Sequence, residues 1–126
     1  MTNILVIDDD PLIRTLVEKY FSAKGCKVLV AEDGAHGIGL ATRHPLDAVI
    51  LDVEMPVLDG ASTLHILRTT PEISSVPVVV ISAKTDADTR FLMEDIGCTD
   101  FITKPLDMTH LYQVVDDSIK ASKPMA

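Results

Sequence analysis

Ile4-Leu5-Val6-Ile7-Asp8-Asp9-Asp10-Pro11 decides how the rest of the chain is read. Four apolar residues, three of them β-branched, give way at once to three acids and a proline. The run does not alternate with polar residues. Both faces of the strand it predicts must therefore be covered, as in a parallel sheet held between helices. Asp10 and Pro11 then supply a helix N-cap and a first-turn proline. Leu12, Ile13, Leu16, Val17, Tyr20 and Phe21 follow at helical spacing as one apolar stripe, and Gly25 is its stop. The unit is a strand, an acidic turn and a helix.

The unit recurs along the chain. Val28–Ala31, Ala48–Leu51 and Val78–Ile81 are apolar runs of the same kind, and Phe101-Ile102-Thr103 is a weaker one. Between them the spacing predicts a helix over 34–43, weakened by Gly37 and Gly39 and ended by His44-Pro45. A second covers 60–69, with Leu64 and Leu67 inward. A third covers 86–96, with Phe91, Leu92 and Ile96 inward and Gly97 as terminator. The last, over 107–121, turns Leu111, Val114, Val115 and Ile119 inward. A strand-helix order repeated in this way, with right-handed crossovers, places helices on both faces of an open parallel sheet. No internal repeat, low-complexity stretch or linker interrupts it. The organisation is one α/β domain over residues 1–121 and a short tail over 122–126.

Composition agrees and narrows the function. A chain of 126 residues fits one domain with a real core, and 47% apolar against 24% charged residues is a globular balance. A net charge of -8, with no Lys/Arg run, argues against direct contact with nucleic acid. The acidity suits a basic partner or a bound cation. No apolar run is long enough to span a bilayer, and Asp8 arrives before any signal-peptide core develops. A cytoplasmic setting is expected, with no membrane insertion and with Cys26 and Cys98 as reduced thiols. His36, His44, His65 and His110 fall on predicted helices or their ends, and read as solvated surface groups.

In a doubly wound sheet, ligands bind beyond the carboxyl ends of the strands. The first strand ends at Asp8-Asp9-Asp10, the third at Asp52, the fourth at Ser82-Ala83 and the fifth at Lys104-Pro105. Asp10 is accounted for by the helix cap. Asp8, Asp9 and Asp52 would repel one another and raise one another's pKa without a counter-charge. A hard divalent cation such as Mg²⁺ removes that conflict. Asp9 and Asp52 are the expected direct ligands, with Asp8 acting through water. A carboxylate held there can act as a nucleophile toward phosphorus and form an acyl phosphate. Lys104 and the hydroxyl of Ser82 are the groups available to stabilise charge on the transferring oxygens.

With these residues assembled, the chain resembles the receiver domain of bacterial two-component response regulators, of the stand-alone chemotaxis-regulator kind. The similarity runs from about Asn3 to residue 121. It rests on Val6-Ile7-Asp8-Asp9-Asp10-Pro11, on Leu51-Asp52-Val53-Glu54-Met55-Pro56 with Asp59-Gly60, on Ile81-Ser82-Ala83, and on Gly97 with Phe101-Ile102-Thr103-Lys104-Pro105. The resemblance implies a flavodoxin-like fold with strand order 2-1-3-4-5. It implies Asp52 as phospho-acceptor, Asp8 and Asp9 as the acidic metal pair, and the backbone carbonyl of Glu54 as a further ligand to Mg²⁺, for which Mn²⁺ can substitute. Lys104 is implied to pair with the phosphoryl group, ahead of a cis bond to Pro105. Ser82 and Phe101 stand at the switch positions.

The implied donor is a phosphohistidine on a sensor histidine kinase or histidine phosphotransfer protein. The implied output is a changed surface of the fourth helix, fifth strand and fifth helix, read by a downstream protein target. Such a domain is a regulator that assists its own phosphotransfer and autodephosphorylation, not a conventional enzyme. Glu54 and Lys84 flank the mouth of the site where the family varies, and an ion pair between them is expected to tune the lifetime of the phosphoryl group. The implied strand order also puts Cys26 and Cys98 beside opposite edge strands, roughly 19 Å apart and beyond disulfide reach. No effector segment follows residue 126, which fits a free-standing regulator or a receiver cut from a longer protein.

Three rivals share parts of this pattern. A flavodoxin-type flavin carrier needs hydroxyls and free N–H groups after the first strand, where this chain has acids and a proline. An aspartate-nucleophile phosphatase resembles an Asp-x-Asp arrangement, whereas this chain has Asp52-Val53-Glu54 and no room for a cap. A binding module with this fold but no phosphorylation differs from the leading reading only in the phosphorylation itself.

Overall fold

Apolar runs without alternation become the strands of one sheet, and helical stripes close both its faces. The structure is a computed structural model that describes residues 1–55, 58–84 and 86–123. Pro56 of the second motif and the tail residues Pro124, Met125 and Ala126 lie outside the described residues. In chain order the elements are β1 (Asn3–Ile7), α1 (Pro11–Ala23), β2 (Lys27–Ala31), α2 (Gly34–Arg43), β3 (Ala48–Asp52) and α3 (Gly60–Thr69). A short 3-10 turn (Pro71–Ile73) precedes β4 (Val78–Ser82), α4 (Ala87–Ile96), β5 (Asp100–Thr103) and α5 (Met108–Ser122). The strands are all parallel and run in the order β2-β1-β3-β4-β5.

Because side chains alternate across a strand, the unbroken apolar runs feed two cores. Leu5, Ile7, Val49, Leu51, Val78 and Val80 face one way, against Leu64 and Leu67 of α3 and Met93 of α4. Ile4, Val6, Ile50, Val79 and Ile81 face the other way, against Val17 and Phe21 of α1 and Leu111, Val115 and Ile119 of α5. Every residue of β3 and β4 is buried. The edge strand β2 differs from expectation: Val28, Leu29 and Val30 are only half-buried, since no strand lies beyond it.

Each of the five α-helices begins behind an aspartate cap, namely Asp10, Asp33, Asp59, Asp86 and Asp107. Each carboxylate accepts a backbone N–H of the first turn, which satisfies an orphan donor and meets the positive end of the helix dipole. Gly25 and Gly97 sit at φ 89° and 121° just past α1 and α4, a backbone conformation that favours glycine at a helix end.

Two helices turn differently from the predicted stripes. On α4 the buried residue is Met93, in line with half-buried Thr89 and Ile96 at i, i+4 and i+7 spacing, while Phe91 is 71% exposed and Leu92 48%. On α1 the stripe is Ile13, Val17, Tyr20 and Phe21, leaving Leu12 63% exposed and Leu16 42%. A helix buries about one stripe, and apolar residues rotated roughly 100° from it stay in solvent. The four histidines are exposed. Cys26 and Cys98 are free, half-buried, and stand just before the two edge strands β2 and β5.

Arg68 of α3 ties several chain ends together. Its Nε donates to Gly97 O at 2.8 Å, and its Nη1 to Val76 O at 2.7 Å and Ser74 O at 3.3 Å. Burial lowers its pKa. Arg68→Met is expected to destabilise the fold by about 2 kcal/mol, because it strands part-buried carbonyls without donors. Urea midpoints compared at equal slope would check this.

Candidate functional site

Parallel register brings the chemistry to one edge. Ile7 pairs with Leu51, Asp52 with Ile81 and Ser82 with Thr103, so the carboxyl ends of four strands finish nearly level. The ladder continues just past them: Asp8 N–H donates to Ala31 O at 3.1 Å, Val53 N–H to Ile81 O at 3.1 Å, and Lys104 N–H to Ser82 O at 2.8 Å. The first side chains beyond the apolar runs are thereby fixed by the sheet rather than by free loops. Asp8, Asp52 and Ser82 are buried, Lys104 is half-buried, and Asp9 is exposed at the rim.

Three carboxylates meet here. One oxygen each from Asp8, Asp9 and Asp52 lies within 4.8 Å of the others. Lys104 Nζ donates to Asp52 Oδ1 at 3.0 Å and stands 3.6 Å from Asp8 Oδ2. Asp8 Oδ1 accepts the Asp10 N–H at 2.9 Å, but Asp8 Oδ2 is buried with no hydrogen-bond partner among the described residues. A single ammonium faces more negative charge than it can balance. Burial, and after it the charge of Asp8, push the Asp52 carboxyl up to about 7, while Lys104 pulls the other way. Burial also raises Asp8. Burial alone would lower Lys104, but its bond to Asp52 and the charge of Asp8 hold it above the ordinary lysine value.

This donor set fits a hard divalent cation. All three groups are carboxylates, one buried oxygen has no partner, and Asp9 leaves a side open to the waters that Mg²⁺ retains.

Around the acids, Ser82, Glu54, Lys84 and the Lys104–Pro105 bond fall at the same edge, while Phe101 lies back along β5, level with Val80. The Lys104–Pro105 peptide is cis. Phe101 is buried, and the Arg90 guanidinium lies 5.5 Å from its ring centroid while also pairing with Glu94 at 2.9 Å. The expected Glu54–Lys84 ion pair is replaced by a different contact. Glu54 Oε1 accepts the Ser82 hydroxyl at 2.8 Å and the backbone N–H of Lys84 at 3.2 Å. A buried hydroxyl and a fixed N–H outcompete an exposed ammonium, whose hydration an ion pair at the surface barely repays. Burial alone would raise Glu54, but these bonds outweigh it and hold the carboxyl below the usual range.

Two residues of the site were not anticipated. Arg14, one turn into α1, donates from Nη1 to Asp8 O at 2.8 Å and braces the acidic turn. Its spacing from Asp10 was the available signal, yet a lone arginine on a helix is usually solvated. Arg90, the lid on Phe101, gave no signal in sequence. A groove of about 480 Å³ opens beside Glu54, lined by Val53, Met55, Lys84, Leu92 and Met93.

Comparison with known proteins adds to this geometry. The family model for the response regulator receiver domain matches residues 4–116. The transcriptional regulatory proteins PrrA and KdpE of Mycobacterium tuberculosis are 37% and 38% identical over 108 residues, 86% of this chain and 46% of each relative. The chain thus spans about half the length of these curated relatives. Among solved structures, the receiver domain of the Francisella response regulator 1452 is 31% identical with a TM-score of 0.89, covering 98% of this chain and 100% of that one. The receiver domain of the sensor histidine kinase PA1611 of Pseudomonas aeruginosa is 27% identical with a TM-score of 0.87, over 94% of this chain and 98% of its own. That protein carries a magnesium ion coordinated in its active-site cleft.

Proposed function

The chain belongs to the response regulator receiver domain family of two-component systems, and on that premise we propose that it is a phosphorylation switch whose acceptor is Asp52. The observation that carries this is a buried carboxylate at the end of β3, paired with Lys104 at 3.0 Å and crowded by two further acids. In the proposed reaction an Asp52 oxygen forms a bond to phosphorus as the P–N bond of a phosphohistidine breaks. The imidazole leaves with the electron pair. The donor is a sensor histidine kinase or a histidine phosphotransfer protein.

Asp9 and Asp52 would hold Mg²⁺ or Mn²⁺ directly, with the backbone carbonyl of Glu54, and Asp8 would act through water. When bound, the cation neutralises the acids and the incoming phosphoryl oxygens. Lys104 would follow the charge from carboxylate to phosphoryl oxygen, and the Ser82 hydroxyl would donate to another. Drawing Ser82 inward opens space for Phe101, which biases a pre-existing equilibrium of the α4-β5-α5 surface toward a downstream protein target. Hydrolysis by water returns the acid, with the exposed Lys84 and the inward-turned Glu54 tuning its rate.

The domain itself is proposed to act in the cytoplasm through protein contacts and without touching nucleic acid, which its charge of -8 supports. DNA contact in longer relatives named as transcriptional regulators would then belong to the rest of their length. Among the described residues no helix is long and apolar enough to cross a membrane. Intact-protein mass after incubation with acetyl phosphate tests the proposal. A gain of one phosphoryl group with Mg²⁺, and none in its absence, is expected. No gain under either condition would remove the phospho-acceptor function.

A further inference from the structure

Ser82 has one proton to give. Its hydroxyl is fully buried and donates that proton to Glu54 Oε1 at 2.8 Å. The Lys84 N–H closes the arrangement, reaching Glu54 Oε1 at 3.2 Å and Ser82 Oγ at 3.0 Å. Glu54 Oε2 is buried and has no partner among the described residues, so the carboxylate is turned into the protein and not out to solvent. A charge-assisted bond from a buried hydroxyl is among the stronger kinds. Lys104, by contrast, is already directed at Asp52.

We propose that Glu54 is a resting-state latch: its carboxylate stands in for a phosphoryl oxygen at the switch hydroxyl, and must release Ser82 before Ser82 can serve a phosphoryl group on Asp52. This rests on the receiver reading above and assigns Glu54 a positioning role within it. Occupying the only proton of Ser82 slows phosphoryl uptake and holds Ser82 and the Lys84 amide in the unphosphorylated arrangement. The latch acts through the side chain of Glu54, so it is separable from any role of that residue's backbone carbonyl.

A double-mutant cycle isolates the latch from simple repulsion by the Glu54 charge. The native chain, Glu54→Ala, Ser82→Ala and the double variant are each given acetyl phosphate and Mg²⁺, and uptake is followed by intact mass. Acetate leaves with the electron pair of its P–O bond as the Asp52 oxygen bonds to phosphorus. Glu54→Ala is expected to speed uptake about tenfold, the worth of one charge-assisted hydrogen bond. In the Ser82→Ala background the same change should do far less. Glu54→Gln, which keeps an acceptor, should fall between.

Hydrogen exchange at the Lys84 amide, measured without metal or phosphoryl donor, gives an independent reading. It is expected to quicken severalfold in Glu54→Ala, where the 3.2 Å bond to the carboxylate is lost and the 3.0 Å bond to Ser82 Oγ remains. Equal acceleration in both backgrounds, or unchanged Lys84 exchange, would overturn the latch and leave the receiver reading intact. Failure of the native chain to take up a phosphoryl group would overturn both.

Discussion

Asp52→Asn is expected to stabilise the metal-free protein by about 2 kcal/mol at pH 8 while abolishing phosphoryl uptake. Burial and the neighbouring Asp8 charge hold the folded carboxyl at about 7, against roughly 3.9 for an unfolded aspartate. Between those values the folded chain keeps a proton that the unfolded chain has lost. Stability therefore falls as pH rises through that window, and the full cost is present above the folded pKa. Asparagine carries no charge to strand. Its advantage should be small near pH 4, grow through pH 7 and then level off.

The pull of Lys104 at 3.0 Å is already contained in that value, and burying the amide of asparagine offsets part of the gain, which keeps the figure near 2 kcal/mol. Added Mg²⁺ should narrow the difference, because a cation that binds only the folded native chain stabilises it by mass action. The amide is no nucleophile toward phosphorus, so uptake is lost in the same sample. Thermal midpoints of both proteins at pH 5 and pH 8, with and without Mg²⁺, check the sign. A variant less stable than the native chain at pH 8 would mean that the acids impose no strain on this site.

The sheet and the contents of its functional edge were legible for one physical reason. Unbroken β-branched runs fit only strands covered on both faces, and the first polar residue after each run must emerge at the carboxyl end. That logic found Asp8, Asp52, Ser82 and Lys104 without knowledge of strand order. It also found the helix limits 34–43 and 60–69, because apolar spacing and closing residues such as His44-Pro45 mark them. The caps at Asp33, Asp59, Asp86 and Asp107 were equally readable, although only Asp10 was used as a signal.

What sequence did not give was rotation and choice of partner. Phe91 and Leu92 are apolar but lie off the stripe of α4, which is set by where one short helix meets the sheet. The order of residues contains the period and not the phase when apolar side chains occupy neighbouring positions. Opposite charge pairs Glu54 with Lys84 in the sequence, yet in the fold Glu54 takes a hydroxyl and a backbone N–H. Opposite signs are visible in a sequence, whereas a buried donor lacking an acceptor is visible only once the strands are aligned. Arg68 shows the same limit: three of its four acceptors are carbonyls, which every residue has.

Gly60→Ala should damage both the fold and the site, with a loss of about 3 kcal/mol or more. Gly60 opens α3 behind the cap Asp59, and its N–H donates to Val53 O at 3.0 Å. A methyl group there would stand 2.6 Å from Val53 Cα, 2.7 Å from Asp52 O and 3.0 Å from Val53 O. These are all backbone atoms, so no rotamer change can relieve the contact. Either α3 lifts from the end of β3 or the Asp52–Val53 segment shifts, and the second movement carries the Asp52 carboxylate with it. Because a displacement of about 1 Å at a reacting centre can cost on the order of a hundredfold in rate, phosphoryl uptake should fall far more than the folded fraction does.

Gly39→Ala is the control. Its added methyl meets only Arg43 Nη2 at 3.5 Å, an ordinary contact, in the interior of α2. That change should stabilise by about 0.5–1 kcal/mol and leave uptake alone. Urea midpoints and uptake rates for the two variants separate a steric effect from a general intolerance of alanine. If Gly60→Ala unfolded at the native midpoint, the close approach of α3 to the end of β3 could not be what positions Asp52.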